Sequence, residues 1–146
     1  MHRLVRPLVA ALLVTVVGGA ARARPPGMGG KAPLADEAQI TEGSGKLEAG
    51  DIEGALALFK QAEALAPKDP RPRYLRGAAL AKKDPEAAIA AYREALALDG
   101  TLSAVHGELG ALLLDRDRLD EALVELKAAL KFDPAMVDAW TNIAMA

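Results

Sequence analysis

Cysteine is absent from all 146 residues. That excludes disulfides, thiolate nucleophiles and thiolate metal sites. Histidine is nearly absent. His2 and His106 are the two present, too few for a histidine-rich metal centre. Aromatic residues make up 3% of a chain that is 51% hydrophobic. Alanine and leucine therefore carry the apolar content, a composition that favours helices. Neither sign of charge dominates. The formal net charge of -2 gives no electrostatic footprint for nucleic acid. With 26% charged residues, the chain is neither a disordered polymer nor a multi-span membrane protein. Its length suits one domain.

The first 23 residues have the composition of a targeting segment. Arg3 and Arg6 give a positive start. An apolar run from Leu8 to Val17 is broken only by Thr15, and Gly18, Gly19 and Ala20 lead into Ala21-Arg22-Ala23. This order is that of a secretory signal peptide, with cleavage expected after Ala23 and Ala20 as the alternative site. An uncleaved anchor over residues 8–21 is the other reading, although such a stretch is short of the roughly 20 residues that span a bilayer. Loss of Arg3, Arg6 and Arg22 leaves 15 basic and 20 acidic residues, so the exported chain carries about -5. An exported, periplasmic location follows, or an inner-membrane anchor with the rest facing the periplasm. Residues 24–35 contain three prolines and three glycines and read as a flexible linker.

From residue 36 onward the sequence repeats itself. Ala55, Ala88 and Ala122 are 33 and 34 residues apart. Phe59, Tyr92 and Leu126 keep the same steps, as do Ala62, Ala95 and Ala129. Gly43, Gly77 and Gly110 recur at 34 and 33. Each unit divides into two helices. Residues 85–98 place Ala88, Ile89, Tyr92, Ala95 and Leu96 on one helical stripe. Second helices are expected over about 52–65, 85–98 and 118–131, capped by Asp51, Asp84 and Asp117. First helices are expected over about 36–48, 70–82 and 102–115, and a last one over about 134–145. Gly100 is expected to supply a left-handed helix end. Alanine and glycine columns let two backbones approach, and the large residues beside them fill the gap. A single pair cannot bury its apolar face, so neighbours must stack.

This spacing resembles the tetratricopeptide repeat (TPR), whose pattern is W-x2-L-G-x2-Y, then A-x3-F, then P. The resemblance covers about residues 36–146. The third unit reads His106-x2-Leu109-Gly110-x2-Leu113, Ala122-x3-Leu126, Pro134. A partial fourth reads Trp140-x2-Ile143-Ala144. The first unit departs at Glu42 and Lys46, which are polar where the family is apolar. The second has Arg76 for leucine, Gly100 for proline and a turn one residue shorter. The resemblance implies an all-α, right-handed superhelical solenoid of antiparallel helix pairs. Its units are about 36–69, 70–102, 103–136 and a partial 137–146, which makes three repeats plus one extra helix. Trp140 would join the packing columns and cover Leu123, Leu126 and Leu130.

No catalytic constellation is legible. His106 falls in a packing column. Ser44 lies in a glycine-rich stretch that lacks the lysine and preceding strand of a phosphate loop. Asp115, Asp117, Asp120 and Glu121 lack the glycine and final glutamate of a calcium loop. No enzyme, cofactor, metal, nucleic acid or small-molecule substrate is expected. The resemblance instead implies a protein or peptide segment bound in a concave groove lined by first helices. Ile40, Ser44 and Leu47 would come from the first unit. Arg71, Tyr74, Ala78, Ala81 and Lys82 would come from the second, and Gly107, Ala111 and Leu114 from the third. Residues 70–83 carry Arg71, Arg73, Arg76, Lys82 and Lys83 without an acid. They are either a grip for an acidic segment or a solvated face. The lysine–asparagine carboxylate clamp of some relatives is not supported, because Asn142 is the one asparagine. The expected function is a non-catalytic adaptor or scaffold in a bacterial cell envelope. The alternative is an accessory or regulatory subunit of an envelope enzyme or assembly complex. Self-association through the free side of the apolar last helix (Ala139, Ile143, Met145) is a further expectation.

Overall fold

The computed structural model describes residues 34–146. The expected signal peptide, and the linker as far as residue 33, lie outside the described residues. Seven helices and no strand are found among the residues described. They are α1 (Glu37–Glu48), α2 (Ile52–Leu65), α3 (Arg71–Leu80), α4 (Pro85–Leu98), α5 (Ser103–Asp115), α6 (Leu119–Phe132) and α7 (Val137–Met145). None is long and apolar enough to cross a membrane. Connections as short as 49–51 and 116–118 force the helices of a unit to run antiparallel. The units α1–α2, α3–α4 and α5–α6 stack in sequence, and α7 packs on α6 and α5. The architecture is an all-α solenoid of helix pairs.

The repeated columns are the contact surfaces of this stack. Ala55, Phe59, Ala62, Ala88, Tyr92, Ala95, Ala122, Leu126 and Ala129 are buried. Each first-helix glycine lies against the large residue of its partner helix. A Cβ at Gly43 would stand 2.6 Å from Phe59 Cε1. One at Gly77 would stand 2.6 Å from the Tyr92 ring, and one at Gly110 would stand 2.7 Å from Leu126 Cγ. No side chain fits there, so glycine is what allows the large residue to lie flat on the neighbouring backbone. Burial of each large residue contributes roughly 1.5–3 kcal/mol.

The helix ends differ from expectation in four places. Asp51 and Asp84 do cap, accepting from the Gly54 and Ala87 amides at 2.9 and 3.1 Å. Asp117 does not. Its φ is +58°, and it ends α5 with its N–H on Leu114 O while Arg118 N–H reaches Leu113 O. The cap position of α6 therefore passes to Arg118, which offers no acceptor. Gly50 (φ +83°) fills the same role after α1. The second unit lacks this residue, so the chain passes from α3 into the cap Asp84 without a left-handed step. There α3 stops at Leu80, and the Lys83 and Asp84 amides share Leu80 O. Gly100 is not left-handed; α4 ends in extended backbone at Asp99. Finally, α7 starts at Val137. Asp133 holds the Ala135 amide in a side-chain turn ahead of it, which uses residues expected to be helical.

Candidate binding face

Contacts between successive first helices (α1 with α3, α5 with α7) are richer than any between successive second helices. The first helices therefore lie on the inner side of the curve. Ile40, Ser44, Tyr74 and Ala78 sit on this side but are largely buried between helices. Ser44 Oγ has no hydrogen-bond partner among the described residues. Leu47, Arg71, Ala81, Ala111 and Leu114 are half-buried, and Lys82 is exposed. Gly107 lies under Met136, whose Sδ would be 2.9 Å from a Cβ there.

The basic stretch of the second unit is mostly engaged within the chain. Arg71 donates to Asp69 (2.6 Å) and to Glu37 (3.2 Å). These carboxylates push its guanidinium pKa further up. Arg73 donates to Pro67 O at 3.1 Å. Arg76 pairs with Glu63 at 3.3 Å and with Glu94. Lys83 pairs with Glu53. Lys82 alone of the five has no ion-pair partner among the described residues. The reading of this stretch as a free grip for an acidic segment loses its cations to neighbouring helices.

One charged group of the inner side was missed in the sequence. Glu108 on α5 accepts hydrogen bonds from Tyr74 Oη on α3 and Tyr92 Oη on α4, both 2.7 Å. The two rings lie with centroids 6.1 Å apart. Burial pushes the carboxyl upward against the two phenol hydrogen bonds, which pull it down. Burial and the adjacent carboxylate likewise drive both phenols above their ordinary range. The missed signal was the interval. Residues one period apart lie on consecutive first helices, and 74 and 108 are 34 apart, as are 37 and 71.

His106 is held by Glu125 (Nδ1, 2.7 Å) and Gly100 O (Nε2, 3.0 Å) and stacks on Phe132. It clasps α5 to α6. Among the described residues no set of three histidine or carboxylate side chains gathers to hold a metal.

Trp140 departs from its expected packing role. It is 57% exposed, and its indole donates to Pro134 O at 3.1 Å. Ala139 is the residue turned inward, 1% exposed against Leu126 and Ala129, with Ile143 beside it. The physical reason lies in register. His106, one period earlier, is covered by α6 of its own unit, and no following helix covers Trp140 among the described residues.

Comparison with known proteins agrees with this geometry. Two family models described as tetratricopeptide repeat match residues 40–103 and 79–141. No curated protein sequence is matched by the chain. Among solved structures, the Arabidopsis OM64 TPR domain is similar with a TM-score of 0.72 at 18% identity, over 76% of this chain and 93% of that one. The first TPR of Spaghetti (RPAP3), bound to HSP90 peptide SRMEEVD, gives 0.73 at 18% identity, over 76% and 89%. The second TPR domain of human RPAP3, in complex with HSP70 peptide SGPTIEEVD, gives 0.69 at 22% identity, over 75% and 96%.

Proposed function

The chain belongs to the tetratricopeptide-repeat proteins, and from that premise we propose that it is a non-catalytic adaptor that holds a segment of a partner protein along its first helices. The observation that carries this reading is the row α1, α3, α5 on the inner side, with Leu47, Ala111 and Leu114 only half-covered. Structures of similar fold hold peptides. The reading also includes export to the bacterial envelope, supported by Arg3, Arg6, the Leu8–Val17 run and Ala21-Arg22-Ala23. Intact-mass analysis of the envelope fraction is expected to show a chain beginning at Arg24. A full-length, membrane-fixed species would favour the anchor over residues 8–21.

The testing experiment is capture from envelope extracts on the full chain, side by side with Leu47→Lys and Leu114→Lys. A partner retained by the native chain and released by both variants supports the groove. Retention by all three places binding elsewhere. A co-captured enzyme whose activity changes with the chain would favour the accessory-subunit reading. Self-association is a second mode, favoured by Val137 (71%), Trp140 (57%) and Met145 (68%) exposed together on α7. Light scattering that shows a monomer at high concentration, unchanged by Met145→Lys, would remove it.

A further inference from the structure

Of the five cations in residues 70–83, four have an anion. Arg71 is matched by Asp69 and Glu37, Arg76 by Glu63 and Glu94, and Lys83 by Glu53. The converse does not hold. Glu108 is held between α3, α4 and α5 by two neutral phenols and by no Lys or Arg among the described residues. A carboxylate offers about four lone-pair directions, and the tyrosines use one on each oxygen. Removing a charge from water without a counter-charge is costly. The geometry is therefore that of an anion fixed in place and still lacking its cation. Both tyrosines are buried while Glu108 is only partly so, and it stands on first helix α5, bonded to Tyr74 on first helix α3. Half-buried Ala111 and Leu114 follow it along α5.

We propose that the groove recognises a partner segment bearing a lysine or arginine, whose cationic head docks on the Glu108 carboxylate while apolar neighbours lie along Ala111 and Leu114. Tyr74 and Tyr92 are positioning residues. They aim the carboxylate and prevent it from swinging to a rim cation such as Lys82. Half-buried Ala111, one turn along α5 from Glu108, adds little bulk beside the aliphatic stem of the incoming side chain. This inference rests on the groove-binding reading above and adds the chemistry of the occupant.

Panning the full chain against randomised twelve-residue peptides tests it. Enriched peptides are expected to share a lysine or arginine flanked by apolar residues. Replacing that lysine by norleucine keeps the stem and removes the charge, and should weaken binding about tenfold or more. Glu108→Gln should weaken the lysine peptide by a similar factor and leave the norleucine peptide unchanged. Carbon-13 spectra of the native chain give a readout independent of any variant. The Glu108 carboxyl resonance should move with the lysine peptide and not with the norleucine peptide. Enriched peptides without a cation, or a Glu108 resonance indifferent to the lysine, overturn the assignment and leave groove binding intact. Failure to enrich any peptide overturns groove binding itself, and this inference with it.

Discussion

Asp117 holds a backbone conformation that L-residues adopt at a cost of roughly 1–2 kcal/mol, aspartate somewhat less than most. Gly50 meets the same demand without cost. Asp117→Gly is therefore expected to stabilise the fold by up to about 1 kcal/mol, read as a higher denaturation midpoint with unchanged slope. Glu108 sets a second test at this scale. Its carboxyl is raised above 4.5 by burial, so the fold favours its protonated form. Its contribution is then most favourable below the unfolded value and is lost as pH rises through the native one. The stability of the native chain relative to Glu108→Gln should fall as pH rises from 4.5, followed by paired thermal melts. A flat difference would mean that the carboxylate is well hydrated. Neither residue is evident as such in the sequence. Asp117 looks like a cap because aspartate beside a helix start usually is one. Only the extra turn residue, present in the first and third units and missing in the second, distinguishes the two roles. Glu108 resembles any glutamate in a helix until its distance from Tyr74 is measured in repeats.

Helices are more legible than single residues, because their signal is spread over many positions. The columns Ala55–Ala88–Ala122 and Phe59–Tyr92–Leu126 give the interfaces directly, since a small residue opposite a large one is what close packing demands. The caps Asp51 and Asp84 were legible because their hydrogen bonds are local. The end of α3 was not, because the shortened turn decides it. Nor was the burial side of α7. Its heptad-like spacing offers both Ala139 and Trp140, and which one turns inward depends on whether another helix follows. A test at this scale is the second-unit stripe. Ala88 is fully buried, and Ala88→Leu should cost roughly 1–3 kcal/mol by overpacking. Ala90 on the same helix is exposed, and Ala90→Leu should be close to neutral. Ala87, a less suitable control, is half-buried. Equal effects in denaturant melts would misplace the stripe.

For the molecule as a whole, stability is a sum of unit terms and neighbour terms, and the two described boundaries between full units differ in kind. The first and second units are tied by Arg71–Glu37 and Lys83–Glu53, pairs that are substantially exposed, and by the more covered pair Arg76–Glu63. The second and third share exposed pairs too, Arg93–Glu121 and Arg118–Glu86, but also the Tyr74–Glu108–Tyr92 clasp, two tyrosines buried against a third helix. Salt screens the exposed pairs and scarcely touches the buried clasp. Raising the ionic strength should thus fray the solenoid from one end. Amide hydrogens of α1 and α2 are expected to exchange with solvent at lower salt than those of α5, and native-state exchange across a salt series would show it. The clasp then acts as a ratchet pawl. It holds the second and third units in register through hydrogen bonds that the ionic medium scarcely weakens, so any slip between those two units must first break them.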